Sequence, residues 1–301
     1  PYTPLLYKPL FLPQGPLPPR ELPPGLDGLD LGAGPLTPGS ALALRALASA
    51  DSVPHFSLED KPLVVTQQGP EFIALGGTGA FYQPGQHLLR IRVGDHPLWE
   101  QPLTFADREW TWEEVNYTNT AVLDPDAIRL EREILQPIWD EATPQALWQG
   151  AFTQPIEDYV EISSYYGARR SVNGGPYNRY HEGTDYSAYG GSPVVAPAAG
   201  KVALAQELAI RGNAVLLDHG LGLHSGYYHL SAIHVQPGQE VKAGDLLGEV
   251  GTTGRSTGNH LHWDLLIGRT WIDPLGWLEG DIDTWLSPTP PPAPDESQNS
   301  P

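Results

Sequence analysis

Glycine and proline interrupt this chain so often that long helices are disfavoured along most of its length. The 301 residues include 33 glycines and 32 prolines. Proline lacks a backbone N–H and glycine permits bends that other residues avoid, so both separate regular elements. Apolar or alternating runs between these breaks are short, as at residues 62–66, 71–75 and 87–93. The pattern predicts a mainly β protein of short strands joined by turns.

Charge and composition exclude several classes of partner and site. The chain carries a formal net charge of −19, and phosphate binding relies on Lys and Arg, so we expect no nucleic-acid partner. No apolar run approaches the roughly 20 residues that a membrane-spanning helix needs, so no span is expected. The absence of cysteine excludes disulfides and thiolate metal ligands. The chain begins at Pro1 and contains no methionine, which indicates a processed or trimmed form; a removed secretory signal is one explanation.

Changes in composition and in residue pattern along the chain predict five segments. The best helix candidate spans residues 124–141, where Asp124 and Pro125 suit a cap and a first turn, and Pro137 is expected to end or kink the helix. The segments are a Pro-rich arm (1–24), a small β-sandwich-like N-terminal domain (25–122), a helical connector (123–153), a β domain (154–286) and a disordered Pro-rich tail (287–301).

The C-terminal segment combines short strand patterns with regularly placed glycines. Strand patterns occur at residues 193–196, 201–205, 214–218 and 246–250. Every third residue from Val235 to Leu247 is a valine, a glycine or a leucine: Val235, Gly238, Val241, Gly244 and Leu247. This spacing suits a tight hammerhead turn rather than a helix. We therefore predict an antiparallel, open barrel-like or two-sheet domain.

Histidines in this segment suggest metal chemistry. Alternate residues of a strand face the same side, so His260 and His262 share a face if residues 260–267 form a strand. His181 and Asp185 flank Gly183, where a bend can bring an imidazole and a carboxylate onto one ion. Zinc accepts these ligands, and a catalytic zinc needs three of them plus an open position. Each fragment alone is a weak signal, and the combination predicts a zinc hydrolase.

Several motifs in chain order resemble the LytM-type, lysostaphin-like zinc endopeptidases of peptidase family M23. The resemblance covers residues 163–278. Its motifs are residues 163–170, His181-Glu182-Gly183-Thr184-Asp185, Asp218-His219-Gly220, Tyr228-His229-Leu230-Ser231, the stretch GRSTGNHLH at 254–262, and Asp273-Pro274. The resemblance implies a LytM-type fold (the duplicated hybrid motif) for residues 154–286.

The resemblance also implies roles for individual residues. His181, Asp185 and His262 would hold Zn²⁺, and His229 and His260 would be catalytic histidines that do not bind the metal. The implied reaction is hydrolysis of peptide cross-links in bacterial peptidoglycan, with its stem peptides as partners and an extracytoplasmic location. Asn259 stands where the family often has Pro, and Trp263-Asp264 where it often has Phe-Glu. These departures concern orientation of the ligands and substrate preference.

Other interpretations of the same residues are weaker. His181-Glu182 lacks the second histidine of an H-E-x-x-H helix, and no histidine follows His262 to complete a G-x-S-x-G hydrolase triad at Gly254. A carrier module is disfavoured because Lys242 lies inside the Val/Gly repeat rather than at a hairpin tip. A non-catalytic, metal-bound scaffold or activator of another wall hydrolase is the alternative function, but such relatives are expected to lose ligands.

The remaining candidates have two interpretations each. His219 is expected to line the cleft, whereas His224 and His234 are expected at the surface. Arg169 and Arg170 either contact acidic groups of a stem peptide or form salt bridges with the acidic surface. Six aromatic residues either wall a substrate groove or belong to the core: Tyr165, Tyr166, Tyr177, Tyr180, Tyr227 and Trp263.

Overall fold

The computed structural model of the chain describes residues 22–32, 36–49, 52–117, 124–278 and Leu286. The predicted tail (287–301) and all but three residues of the predicted arm (1–24) lie outside these residues. Within them, strands dominate and nearly all pair antiparallel, which confirms the predicted fold class. None of the described helices has the length and apolar character needed to cross a membrane.

The N-terminal part consists of two four-stranded antiparallel sheets. Their strands are β1 (Gly28–Gly32), β2 (Ala41–Leu47), β3 (Pro54–Leu58), β4 (Lys61–Pro62), β5 (Val64–Gln68), β6 (Glu71–Gly77), β7 (Gly85–Val93) and β8 (Trp99–Phe105). The first sheet has the order β1-β2-β6-β5 and the second the order β4-β3-β7-β8. This is the sandwich-like arrangement that the short alternating strands predict.

One apolar core joins these two sheets. Leu42 and Leu44 of β2 pack in the same buried cluster as Phe56 of β3, Leu89 of β7 and Phe105 of β8. Each fully buried Leu or Phe side chain stabilises the fold by about 1.5–3 kcal/mol relative to exposure. The core therefore holds the two sheets face to face.

Strand β9 (Trp112–Val115) and helix α1 (Pro125–Trp139) follow the sandwich. The helix begins as predicted: the Asp124 carboxylate caps it by accepting from the Asp126 N–H, and Pro125 occupies the first turn. The helix does not end at Pro137 but continues to Trp139. Pro137 lies in the last turn, where its missing N–H removes only one hydrogen bond, and the buried neighbours Leu135 and Trp139 hold the turn in place.

The C-terminal part contains thirteen further strands and a short 3-10 helix (Pro274–Trp277). The strands are β10 (Glu161–Ser164), β11 (Arg169–Val172), β12 (Arg179–Tyr180), β13 (Thr184–Ser187), β14 (Pro193–Val195), β15 (Gly200–Leu208), β16 (Gly212–Gly220), β17 (Leu223–Leu230), β18 (Ala232–Ile233), β19 (Glu240–Val241), β20 (Leu246–Glu249), β21 (His260–Ile267) and β22 (Thr270–Ile272). The main antiparallel sheet has the order β10-β13-β21-β17-β16-β15-β19, and β22 also pairs with β21.

Two small sheets flank the main sheet. One has the order β14-β20-β18, and the other has the order β12-β11-β9. The pairing of β9 with β11 is parallel, with Glu113 opposite Arg170. Although β9 lies within the segment predicted as the N-terminal domain, it pairs with a strand of the C-terminal part. The predicted hammerhead region holds β19 between turns at Gly238 and Gly244, whose φ angles of +85° and +87° favour glycine.

The two faces of the main sheet have different roles. Alternate residues of β21 point to opposite sides: Leu261, Trp263 and Leu265 enter the larger apolar core. On the other face, Leu266 belongs to a second buried cluster with Leu135 of α1. Helix α1 therefore covers part of the face to which His260 and His262 belong.

Candidate metal centre

Strand register places a carboxylate directly beside an imidazole. In the antiparallel pair β13–β21, Asp185 lies opposite His262, and in the pair β17–β21, Tyr228 lies opposite His262 from the other side. A shift of one residue would turn these side chains to the other face of the sheet. The buried residues Trp263 and Leu265 oppose such a shift because they occupy the core.

Gly183 allows His181 to approach the same point. A Cβ atom at Gly183 would lie 2.4 Å from the Trp263 carbonyl oxygen and 2.7 Å from His262 Nε2. Only glycine therefore fits between His181 and β13 without moving β21. The predicted bend in the H-x-G-x-D segment is formed by this close approach of two backbones.

Three ligand atoms form a nearly equilateral triangle. His181 Nε2 lies 3.0 Å from His262 Nδ1 and 3.0 Å from Asp185 Oδ1, and the last two atoms lie 2.8 Å apart. Bonds of about 2.0–2.1 Å to a tetrahedral zinc ion correspond to ligand separations of roughly 3.3 Å. Among the described residues, these three form the one cluster of three or more potential ligands compact enough for an ion. The donor set and its spacing fit a bound metal.

The electrostatics of the triangle keep Asp185 ionised. Burial opposes ionisation, but His181 and His262 hold the pKa of the Asp185 carboxyl well below its usual range. Burial lowers the pKa of His181 to about 3, so this ring is neutral at neutral pH. Burial also acts to lower the pKa of His262, but its hydrogen bond with Asp185 and the nearby negative charge of Asp264 raise the pKa to about 9.

A hydrogen-bonded network fixes the His181 ring. His181 Nδ1–H donates to Ser164 Oγ over 2.8 Å, and the Ser164 hydroxyl donates to Glu113 of β9, whose two carboxylate oxygens lie 2.8 and 2.9 Å away. Arg170 Nη2 donates to the second lone pair of Ser164 Oγ, over 2.8 Å. The hydroxyl thus donates once and accepts twice, which satisfies it fully. This arrangement leaves the Nε2 lone pair of His181 directed at the triangle.

Arg170 connects the same network to the carboxylate ligand. Its Nε donates to Glu113 Oε2 over 3.1 Å, and its Nη2 donates to Asp185 Oδ2 over 3.2 Å. Asp185 therefore presents Oδ1 to the histidines while Oδ2 is held by the guanidinium. Glu113 braces two of the three ligands, one through Ser164 and one through Arg170.

Asp264 occupies the far side of His262. Its Oδ2 lies 3.9 Å from His262 Nε2 and accepts a 2.9 Å hydrogen bond from Trp271 Nε1. The Tyr228 hydroxyl donates to its Oδ1 over 3.4 Å. A fully buried carboxylate next to the nitrogen that does not face the triangle orients the ring and increases its basicity. The Trp263-Asp264 departure from the family pattern thus keeps a carboxylate at this place.

His229 and His260 lie beside the triangle with fixed tautomers. His229 Nδ1–H donates to the Thr253 carbonyl and His260 Nδ1–H donates to the Gly258 carbonyl, both over 2.8 Å. Their ring centroids are 4.8 Å apart, and His260 Nε2 lies 3.8 Å from Asp185 Oδ1. In its neutral form, each ring therefore keeps Nε2 as the acceptor.

The backbone of His229 is strained. Its φ of +62° lies in the left-handed region, which residues with a side chain rarely adopt. Such strain costs on the order of 1–3 kcal/mol and persists where surrounding contacts enforce it. Burial and the neighbouring His260 and His262 lower the pKa of His229 to about 3, so the ring is neutral. The structure brings all five predicted site residues to one cavity of about 750 Å³.

Comparison with known proteins identifies the fold around this site. Residues 179–274 match the model of Peptidase family M23. The chain therefore contains a peptidase family M23 domain. The resemblance predicted from the motifs is confirmed by this match.

Curated relatives carry descriptions that match the family. The M23 chain is 39% identical over 127 residues to the DD-carboxypeptidase/endopeptidase Mpg of Neisseria meningitidis, covering 42% of this chain and 29% of that protein. It is 37% identical over 120 residues to the peptidoglycan DD-endopeptidase ShyA of Vibrio cholerae, covering 40% of this chain and 28% of that protein. The chain therefore spans less than a third of the length of these relatives.

One solved structure extends the similarity beyond the M23 match. A crystal structure of an M23 peptidase from Pseudomonas aeruginosa aligns with a TM-score of 0.59 and 27% sequence identity. The alignment covers 81% of this chain and 95% of that one. Its extent shows that the similarity includes residues outside the 179–274 match.

Some residues expected near the M23 site lie elsewhere. His219 does not line the cavity: it is fully buried, and its ring contacts Ser225 Oγ and the Ala199 carbonyl. His224 was predicted at the surface, which is wrong, because it is fully buried within β17. His234 is exposed as predicted, 3.0 Å from Glu249. His219 and His224 lie in the neighbouring strands β16 and β17, whereas His234 follows the end of β18.

The arginine and aromatic alternatives separate in the structure. Arg170 forms ion pairs with Glu113 and Asp185. Arg169 donates to the Ala80 carbonyl and stacks on aromatic rings. Of the six aromatic candidates, Tyr180 lines the cavity. Tyr166, Tyr227 and Trp263 are buried in the core, and Tyr165 and Tyr177 are exposed elsewhere.

Sequence reasoning missed Glu113. The alternating stretch from Trp112 to Val115 carries no sign of its partner, since β9 pairs with a strand more than fifty residues away. The feature of the sequence that could have suggested a role for Glu113 at the site is the pair of acidic residues in β9, which has aromatic residues nearby.

Proposed function

We propose that this protein is a zinc-dependent endopeptidase that hydrolyses peptide cross-links of bacterial peptidoglycan. The observation that carries the proposal is the triangle of His181, Asp185 and His262, with edges of 2.8–3.0 Å, beside two histidines of fixed tautomer. The names of the relatives Mpg and ShyA support the substrate. Because peptidoglycan lies outside the cytoplasm, the same proposal gives the protein an extracytoplasmic location.

His181 Nε2, Asp185 Oδ1 and His262 Nδ1 would hold the zinc ion. When bound, zinc polarises a peptide carbonyl and lowers the pKa of a coordinated water. The surrounding network of Glu113, Ser164 and Arg170 keeps the ligand atoms oriented before the ion arrives. A preformed site loses less conformational entropy on binding than a flexible one.

His229 and His260 would move protons during hydrolysis. Each ring anchors its Nδ1–H on a backbone carbonyl, so Nε2 is the atom that exchanges protons. A neutral ring can accept a proton from the attacking water, and the protonated ring can stabilise the developing oxyanion or protonate the leaving amine. Two adjacent rings allow these tasks to be divided.

The same proposal divides the chain into parts. Residues 154–286 would carry catalysis, residues 123–153 would connect them to the sandwich of residues 25–122, and the sandwich would support the site through the segment that ends in β9. The alternative function, a non-catalytic metal-bound scaffold that activates another hydrolase, is disfavoured because no ligand or flanking histidine is lost.

Mass spectrometry of digested peptidoglycan tests the proposal. Purified cross-linked peptidoglycan is incubated with the protein, with and without a zinc chelator. We expect new uncross-linked muropeptides that disappear with chelator and return when zinc is restored. Absence of products from a preparation with one zinc ion per chain would contradict the endopeptidase and favour the scaffold.

A further inference from the structure

Arginines are concentrated in the cavity of a strongly acidic protein. The chain has 36 acidic residues against 17 Lys and Arg. Yet five arginines line the cavity that holds the metal triangle: Arg132, Arg170, Arg179, Arg211 and Arg255. Five carboxylates line the same cavity, so its formal side-chain charge is balanced, whereas the whole chain carries −19. In so acidic a protein, this cleft is where a ligand of negative charge meets less repulsion.

Two of these arginines pair with four of the five carboxylates. Arg170 pairs with Glu113 and Asp185, as described above. Arg211 Nη1 lies 2.7 Å from Glu131 Oε1 and its Nη2 lies 3.7 Å from Glu182. These pairs account for most of the carboxylates of the cavity wall, and Glu114 is the remaining one.

The other three arginines are not held by such pairs in the described part of the chain. Within the described ranges, Arg132, Arg179 and Arg255 form no ion pair. The stretch that follows β9, residues 118–123, contains no Asp or Glu in its sequence. Arg132, Arg179 and Arg255 are therefore the cavity arginines that no ion pair among the described residues engages.

Arg179 and Arg255 lie in segments that lead to site histidines, whereas Arg132 lies on helix α1, which packs on the same face of the main sheet. Arg179 precedes His181 by two residues, and Arg255 lies in the loop that leads to His260. The Arg255 N–H donates to the Ile210 carbonyl over 2.7 Å, which anchors that loop. Arg132 follows Glu131 in α1, and Glu131 is buried with its Oε2 accepting from the Ile210 N–H over 2.6 Å.

Arg255 is a partly buried cation among these side chains. Its side chain is half-buried, with the ring of Tyr117 5.6 Å from the guanidinium carbon. Burial lowers the pKa of Arg255, Tyr117 and Glu182 act to raise it, and the positive charges of Arg211 and Arg179 act to lower it. A partly desolvated cation next to other cations is unfavourable until a negative group joins it.

We propose that Arg132, Arg179 and Arg255 form a carboxylate subsite, which holds a free carboxylate of the substrate peptide while the metal triangle faces its scissile bond. The proposal rests on the proposed endopeptidase function and deepens it by naming the substrate group recognised. The planar guanidinium offers paired N–H donors that match the two oxygens of a carboxylate. Peptides with an unblocked side-chain or terminal carboxylate are the ligands that fit.

Steady-state kinetics on matched substrates tests this subsite. The zinc-loaded full chain is compared with R132Q, R179Q and R255Q on a soluble cross-linked peptide, in its free-acid form and with its carboxylates amidated. Loss of a charged hydrogen bond weakens binding by about tenfold or more. We therefore expect KM for the free-acid peptide to rise about tenfold, kcat to change little, and the amidated peptide to show no difference among variants.

A matched control comes from the same helix. Arg129 lies one turn before Arg132, is exposed, and pairs with Asp126 and Glu133 outside the cavity. We expect R129Q to leave KM unchanged on both peptides. Equal losses for R129Q and R132Q, or equal losses on free-acid and amidated peptides, would overturn the subsite. Peptides amidated only at the C-termini or only at the side chains identify which carboxylate is held.

Equilibrium binding separates this proposal from the proposed function. Calorimetry with the His229→Ala variant measures the dissociation constant of the uncleaved free-acid peptide, and adding R255Q is expected to weaken it about tenfold. Arginine-dependent binding without cleavage by the unaltered protein would contradict the endopeptidase and retain the subsite. Cleavage that is indifferent to all three arginines would overturn the subsite and retain the endopeptidase.

Discussion

His262 and His229 are neighbours in the cavity, but their contacts indicate different roles. His262 Nδ1 belongs to the triangle, whereas His229 is held through Nδ1 by the Thr253 carbonyl. We expect His262→Ala to lose both metal binding and turnover. His229→Ala should retain the metal and lose about 10²–10⁴-fold in kcat, the usual contribution of a general acid or base.

Metal content and activity measured on the same preparations check this pair of variants. Inductively coupled plasma mass spectrometry gives the metal per chain, and release of uncross-linked muropeptides gives the rate. Wild-type turnover in His229→Ala would remove His229 from the mechanism, and full metal content in His262→Ala would remove His262 from the ligands.

Gly183 is a second single-residue determinant of the centre. A methyl group there would meet the Trp263 carbonyl at 2.4 Å and His262 Nε2 at 2.7 Å, so β21 must move. We expect Gly183→Ala to lower the free energy of unfolding by about 1–3 kcal/mol and to weaken metal binding. Chemical denaturation and metal titration measure the two effects.

Gly258 supplies the control for this substitution. It lies close to His260 in the chain, and a Cβ atom there would meet nothing within 4 Å. Gly258→Ala should therefore leave stability and metal affinity near those of the unaltered protein. Similar losses in both variants would show that the tight approach at Gly183 is not what shapes the site.

At the scale of elements, β9 brings a carboxylate to the metal centre from outside residues 179–274. Glu113 accepts from Ser164 and Arg170, which in turn hold His181 and Asp185. Residues that orient metal ligands typically contribute 10–100-fold to metal affinity. We expect Glu113→Gln to weaken zinc binding by about tenfold or more, measured by competition with a chromophoric chelator.

The neighbouring Glu114 provides a matched comparison, since it is exposed and makes none of these hydrogen bonds. Glu114→Gln removes the same charge from the same strand and should leave zinc affinity unchanged. Equal weakening in both variants would mean that net charge, rather than the Glu113 network, sets the affinity.

Elements with local signals were predictable from the sequence. The strand His260–Ile267 follows from its alternating and β-rich residues, and the start of α1 follows from Asp124 and Pro125. Whether α1 ends at Pro137 was not predictable, because the burial of Leu135 and Trp139 that holds its last turn is a property of the folded protein. The parallel pairing of β9 with β11 was equally hidden, since a contact between distant strands leaves no periodic pattern in either.

At the scale of the whole molecule, the candidate site unites segments from Glu113 to His262. The motifs predicted the five central residues, because the spacing in each motif reflects a local strand or bend. The supporting residues could not be predicted in this way. Glu113 and Arg132 reach the cavity only because β9 and α1 pack on the C-terminal part, which depends on the complete fold.

Buried histidines away from the site also affect the molecule as a whole. His219 is fully enclosed, donates Nδ1–H to the Ala199 carbonyl and accepts from the Ser225 hydroxyl at Nε2. Burial lowers its pKa to about 4, and the positive charge of His224 acts in the same direction, while the Ala199 hydrogen bond and Asp218 oppose them. Both ring nitrogens are engaged only in the neutral form.

This buried neutral histidine makes stability depend on pH in a defined window. The unfolded chain binds a proton at His219 near pH 6.5, whereas the folded chain resists it down to about pH 4. The stabilisation is therefore complete above pH 6.5 and is lost as the pH falls towards 4, by up to about 3 kcal/mol.

We expect His219→Gln, which keeps a donor and an acceptor without titrating, to flatten the dependence of unfolding free energy on pH by about one proton in this window. Urea denaturation of metal-free protein between pH 4.5 and 7.5 measures the slope, and the exposed His55→Gln in β3 serves as the control. A slope unchanged in His219→Gln, or reduced equally in His55→Gln, would show that His219 does not produce the pH dependence.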